Sequence, residues 1–221
     1  FIDTIAQQSN IEDNIKVDSQ DGYQQYFYQE AFRNLYTSIR FLNTDSPLEL
    51  IALTSAVPAE GKTLIAILLA KTMAEMGLKV LLIDGDLRKP QMHTRLGLEN
   101  SKGLTNYLSN DEKQVDNIIQ KMEGHENWDI ITAGSQAPDP TRLIDSDRMN
   151  QLLRHLKENA LYEKILFDTP PMLNFADAFL LANRCDGLFQ IISLDKVNRV
   201  IAKAAMTRII SNNIPILGII T

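Results

Sequence analysis

The chain has 221 residues, 44% hydrophobic and 23% charged, with 28 acidic against 22 basic side chains and a formal net charge of −6. That length and apolar content suit one domain with a sizeable core, and the acidic balance argues against a general electrostatic grip on nucleic acid. The single cysteine, Cys185, excludes an internal disulfide framework, and no apolar run reaches the ~18–20 residues of a bilayer span.

Nothing at the start has a signal-peptide pattern, so a cytosolic chain is expected. It begins at Phe1 and stops at "GIIT", straight after an apolar run, and reads as a piece of something longer. Residues 1–25 are polar without a sustained period and read as a linker or loosely attached arm. The domain is expected over 26–221. From Tyr26 to about Asn43, Phe27, Ala31, Leu35, Ile39 and Leu42 fall at helical spacing, and Ser46-Pro47 ends the helix. "LELIALTSA" is a short apolar strand. Lys62–Met76 reads as a helix stopped by Gly77. "KVLLID" is a second strand, "GLTNYLSN" a short helix and turn, and "WDIITAG" a third strand. Thr141–Asn159 reads as a helix, "YEKILFD" as a fourth strand and Ala176–Arg184 as a helix. "GLFQIIS", a helix over about 197–212, and "ILGII" complete the chain. Continuous apolar strands alternating with helices predict a doubly wound, mostly parallel α/β sheet with helices on both faces. Cys185 is expected to serve packing alone.

Between the first strand and its helix stands Ala56-Val57-Pro58-Ala59-Glu60-Gly61-Lys62-Thr63-Leu64. Strand, loop and helix in that order are the context a Walker A phosphate loop requires. Gly61 lets the backbone approach phosphate, and the free amides at the helix start accept anionic oxygens. Lys62 supplies charge to the outer phosphates, and the Thr63 hydroxyl suits Mg²⁺. Ala56 stands where the pattern has Gly. Glu60 must turn its charge away from the phosphates.

Two acidic motifs complete the chemistry. "VLLIDGDLRKP" ends a buried strand with Asp84, Asp86 and Arg88. Alternate residues of an extended segment share a side, so both acids are expected to aim at the strand's carboxyl end, where ligands bind in open α/β sheets. They suit Mg²⁺, and one suits proton acceptance from an attacking hydroxyl. "KILFDTPP" places Asp168 at the end of another strand, the position of a Walker B acid. Arg88 serves either phosphate or structure.

Together, "TSAVPAEGKT", "LLIDGDLRKP" and "ILFDTPP" resemble the Walker A, A′ and B motifs of the bacterial tyrosine kinases, the BY-kinases, which are cytoplasmic kinase domains of the Wzc- and CapB-like polysaccharide co-polymerase systems. "EAFRNLYTSIRFL" resembles the family's first helix, and "GLTNYL" and "AGSQAPDPTRLI" match two further family stretches. The resemblance implies a P-loop NTPase fold and an ATP- and Mg²⁺-dependent protein-tyrosine autokinase regulating exopolysaccharide or capsule synthesis. It implies phosphate binding by Lys62 and Thr63, and organisation of metal and tyrosine hydroxyl by Asp84, Asp86 and Asp168. It also implies self-association as a ring or dimer, a membrane adaptor or fused membrane segment at the inner face of the plasma membrane, and a tyrosine-bearing protein substrate. No nucleic-acid partner is expected.

Four departures stand out. The family's subunit-contact motif E-x-x-R-x-x-R reads Glu30, Arg33 and then Tyr36. Its P-N-P is P-D-P, with Asp139. The second hydroxyl of its GK[ST][ST] is replaced by Leu64. Its C-terminal tyrosine cluster is not among these residues, and Tyr23, Tyr26 and Tyr28 are left either as acceptors or as packing at a helix start. Two other functions compete. A ParA/MinD-like ATPase switch would carry a signature lysine where Val57 stands. A weakly catalytic, nucleotide-sensing regulator of polysaccharide export would tolerate Tyr36, Asp139 and Leu64.

Overall fold

Apolar runs short enough to bury both faces become strands. They are β1 Leu50–Ser55, β2 Val80–Asp84, β3 Gln120–Lys121, β4 Trp128–Ile131, β5 Lys164–Asp168, β6 Gly187–Ile191 and β7 Ile216–Ile220. A computed structural model describes residues 19–42 and 47–221, the first seven as backbone. Within it the strands form one sheet in the order β3-β4-β2-β5-β1-β6-β7. Every pairing is parallel except the short β3 against β4.

The helices are α1 Ser19–Arg40, α2 Lys62–Glu75, α3 Met92–Leu96, α4 Leu104–Leu108, α5 Pro140–Ile144, α6 Asp147–Glu158, α7 Asp177–Ala182 and α8 Arg199–Ser211. They cover both faces, and the alternation along β1 shows how. Ile51 and Leu53 join a cluster with Tyr36, Ile39, Leu69 and Met73 of α1 and α2. Leu50 and Ala52 join a second cluster with Leu104, Leu152 and Leu181 of α4, α6 and α7. Helix α2 is apolar on most of its circumference because it lies between the sheet and α1.

The expected doubly wound α/β sheet is present, with local differences. Helix α1 starts at Ser19, inside the segment read as an arm; residues 1–18 of that arm, and Ser46 of the expected break, lie outside the described residues. The helix expected over 141–159 is two helices. Ser146 divides them: its Oγ donates to the Leu143 carbonyl at 2.7 Å and accepts from the Met149 amide at 3.4 Å, capping α6. Helix α3, a 3₁₀ turn at Val115–Ile118 and the polar β3 have no counterpart in the sequence reading. Gly77, at φ +92°, follows α2 as expected.

What matters for the site is strand order. β5 lies between β1 and β2, so the ends of three strands meet, with Leu53 and Asp84 each in register with Asp168.

Candidate active site

The loop from β1 into α2 is held in a tight curve. Gly61 has φ +85° and Ala59 φ +66°, the left-handed region that an alanine enters only at a cost. No side chain caps α2, so its first-turn amides are presented to an anion. Glu60 is only 1% exposed and points into the protein. Its Oε1 accepts from the Val57 amide at 2.7 Å and its Oε2 from the Ser193 amide at 3.2 Å. Both of its carboxylate oxygens are thus taken up by backbone amides. Lys196 Nζ adds a bond to the Ala59 carbonyl at 3.1 Å. Ala56 is fully buried and its carbonyl accepts from Leu173, so a small residue is all the position requires. Pro58 is exposed beside it, and Leu64 is buried in the first turn of α2.

The acids converge on the mouth of that loop. Asp84 and Asp168 end neighbouring strands in direct register. Lys62 Nζ lies 2.7 Å from Asp168 Oδ1, both groups buried, and 3.5 Å from Thr63 Oγ1. Asp84 accepts from the amides of Asp86 (3.2 Å) and Met92 (3.3 Å). Burial pushes its carboxyl up to about 8; the Asp168 charge adds to this and the Lys62 charge opposes it. Burial also raises the Asp86 carboxyl, again against Lys62. Gly85 between them has no room for a side chain: a Cβ would stand 2.7 Å from Leu181 Cδ1 and 3.0 Å from the Asp168 carbonyl, to which the Gly85 amide donates.

The donor set fits a magnesium ion shared with phosphates. Asp168 Oδ2 is buried without a hydrogen-bond partner and sits beside the Lys62–Thr63 pair. Among the described residues no three acids or imidazoles form a metal cage by themselves. Mg²⁺ needs none, because it keeps several waters and takes one or two carboxylates plus phosphate oxygens.

The family described as "AAA domain" matches residues 48–193. The tyrosine-protein kinase YwqD of Bacillus subtilis (strain 168) is 38% identical over 191 residues, covering 86% of this chain and 79% of that protein. The chain belongs to the bacterial tyrosine kinases. The kinase domain of the Escherichia coli tyrosine kinase ETK superposes with a TM-score of 0.79 at 31% identity, over 86% of this chain and 73% of that one. The chimerical protein CapA2B2 gives 0.81 at 32%, over 86% and 82%. MinD of Pyrococcus horikoshii OT3 complexed with Mg-ADP, at 22% identity and a TM-score of 0.63 over 77% and 68%, shares the P-loop fold alone.

Glu30 and Arg33 pair at 2.8 Å on the partly open face of α1. Tyr36, one turn on, is only 4% exposed and packs in the core, so the stripe turns inward where the family has its second arginine. Asp139 caps α5 by accepting from the Arg142 amide at 3.2 Å. Tyr26 is exposed and stacks edge-on with Phe27; Tyr28 is partly buried, and the Tyr23 side chain lies outside the described residues. Cys185 is buried, as expected, which raises its thiol pKa. A larger cleft of about 890 Å³ at the opposite end of the sheet, lined by Tyr36, Arg40, Leu78 and Lys164, holds none of the site acids. Arg88 is tied to Asp177 and Thr141, and Asp177 had no place in the sequence reading: an aspartate opening a helix looks like ordinary capping.

Proposed function

We propose that this chain is the catalytic domain, from about residue 26 onward, of an ATP- and Mg²⁺-dependent protein-tyrosine autokinase that regulates exopolysaccharide or capsule synthesis and export. The observation that carries it is the meeting of Lys62, Asp84, Asp86 and Asp168 at the mouth of an uncapped helix, where β1, β5 and β2 end side by side.

The amides of α2's first turn and Lys62 hold the β- and γ-phosphates, Lys62 exchanging Asp168 for phosphate oxygen as nucleotide enters. Thr63, Asp84 and Asp168 would hold Mg²⁺. When bound, that ion neutralises charge on the phosphates. Asp86, or Asp84, takes the proton of a tyrosine hydroxyl as its oxygen bonds to the γ-phosphorus. The bond from the γ-phosphorus to the bridging oxygen breaks and ADP leaves. Burial raises the proton affinity of both carboxyls, so whichever stands ionised with nucleotide bound is the stronger base for it. The remaining contribution is alignment and charge placement.

The partners follow from the family: a tyrosine-bearing protein, self-association as ring or dimer involving Glu30 and Arg33, and a membrane adaptor or fused membrane segment holding the domain at the inner face of the plasma membrane. Among the described residues no helix is long and apolar enough to cross a membrane, so a span would come from elsewhere.

The test is transfer of γ-phosphate from Mg-ATP to tyrosine, on the chain itself or on a tyrosine-rich partner. Lys62→Met is expected to abolish it, and phosphotyrosine that stays undetectable with a partner supplied sinks the kinase reading. The burial of Tyr36 and Leu64 favours a second reading, a nucleotide-sensing regulator with little turnover. Tight Mg-ADP binding without transfer selects it. DNA- or lipid-stimulated ATP hydrolysis would instead favour the MinD-like switch, against which Val57 stands.

A further inference from the structure

Outside the nucleotide loop, a closed polar triangle ties three segments of the carboxyl edge together. Asp177, the first residue of α7, is buried to 1% exposure. Its Oδ2 accepts from Arg88 Nε at 2.6 Å, and its Oδ1 accepts from Arg88 Nη2 at 3.3 Å and from Thr141 Oγ1 at 2.6 Å. Arg88 Nη2 also reaches Thr141 Oγ1 at 2.9 Å, and the guanidinium lies 4.8 Å from the Phe175 ring centre. One buried carboxylate thus fastens the loop after β2, the first turn of α5 and the first turn of α7.

Asp86 stands in the first of these segments, two residues before Arg88. Its carboxylate accepts from the Lys89 amide at 3.1 Å and its amide donates to Asp84 Oδ1 at 3.2 Å, both within its own loop. That loop is held by the Gly85 amide on the Asp168 carbonyl, by Leu87 packed in the core, and beyond it by Arg88. The Arg88 side also borders a cleft of about 170 Å³ lined by Leu87, Gln136, Ala137 and Pro138. A fork-shaped, two-bond pair between arginine and carboxylate fixes direction as well as distance.

We propose that Asp177 is a positioning residue for phosphoryl transfer, holding Asp86 in line through Arg88 and Thr141. It acts through those side chains and touches neither nucleotide nor tyrosine. The inference rests on the kinase reading, yet the fastening itself is measurable without it.

The experiment compares Asp177→Asn, Thr141→Val and Thr141→Ser with the parent chain, each confirmed folded by thermal melting. Nucleotide affinity is read with a fluorescent ADP analogue and Mg²⁺, kcat by phosphotyrosine formation, and loop order by hydrogen exchange over residues 84–90. A displacement of about 1 Å at such a group costs on the order of 100-fold in rate. Asp177→Asn is therefore expected to lower kcat roughly 100-fold with nucleotide affinity within about threefold, and to speed exchange over 84–90 while leaving 56–63 unchanged. Thr141→Val should follow partway and Thr141→Ser should recover, since the hydroxyl is retained. Folded Asp177→Asn with kcat within about threefold of the parent, or with kcat and affinity lost together, overturns the proposal. Should Asp177→Asn fail to fold, the Thr141 pair decides in the same way. Should the parent transfer no phosphate, the kinase reading fails alone, and unchanged exchange over 84–90 then overturns the fastening while faster exchange upholds it.

Discussion

Lys62 and Asp168 form a buried ion pair of 2.7 Å that joins the first turn of α2 to the end of β5. The same two charges are needed by a nucleotide, so the pair is both a structural link and the contact that binding must break. Removing one member strands the other in low dielectric, at a cost of about 3–5 kcal/mol. Lys62→Met should therefore destabilise the nucleotide-free protein by about 3 kcal/mol in urea unfolding. Adding Asp168→Asn should return most of that stability and none of the activity. Additive losses in the double variant would show that the pair contributes nothing as a pair.

The Asp84 carboxyl makes stability depend on pH with a defined sign. In the unfolded chain an aspartate ionises near pH 4, whereas burial beside Asp168 holds Asp84 to about 8 in the folded state. Between those values the unfolded chain has lost a proton that the folded chain keeps, so the group lowers stability as pH rises from about 4 to 8. Below that window it has no effect, and above it the full cost stands. Asp84→Asn cannot ionise, and urea unfolding at pH 5, 7 and 8.5 should show the variant gaining on the parent at each step, by about 4 kcal/mol in total. Parallel pH curves would show that Asp84 is already ionised in the folded protein.

Ala59 holds a left-handed conformation that suits glycine. The strain is about 1–2 kcal/mol, partly offset by the greater freedom of glycine in the unfolded chain. Ala59→Gly should leave the protein more stable by about 0.5–1 kcal/mol, with nucleotide affinity unchanged or tighter. A fall in melting temperature would contradict the strain.

Glu60 fastens the phosphate loop to the segment after β6 through the Val57 and Ser193 amides. Alanine there would orphan both donors, at about 1–3 kcal/mol, and loosen the loop. Glu60→Ala is expected to weaken Mg-ADP roughly tenfold by calorimetry, an effect of order 1.4 kcal/mol. Retained affinity would mean that the loop keeps its shape without the carboxylate.

The elements legible in the sequence were those set by burial. β1, β2, β5 and β6 are apolar runs because helices cover both faces, and pattern reading found each. It missed what pattern does not encode. β3 is the polar pair Gln120–Lys121, a strand only by virtue of β4 beside it. The break at Ser146 is a local capping choice within a helical stretch. Helix α1 runs back to Ser19 through polar residues that carry no apolar period, since a helix once nucleated extends at little cost. At the site, Lys62, Asp84, Asp86 and Asp168 stand out because each belongs to a motif that ends a strand or directly follows one. Asp177 does not, because its partner Arg88 is 89 positions away and the pairing exists only in three dimensions.

The position of β5 between β1 and β2 also sets a timetable. Both strands that flank β1 are synthesised more than roughly a hundred residues after it, about 6–20 s later at ribosomal speed. Until β5 emerges, no strand links the one bearing the phosphate loop to the one bearing Asp84. Its insertion bridges β1 and β2 and delivers Asp168 in one event. A nascent chain short of that point carries bare apolar strand edges, a hazard for aggregation and a target for chaperones. Lys62, Asp84 and Asp168 therefore come together when β5 bridges the sheet, while β6, α8 and β7 are still needed to complete the core.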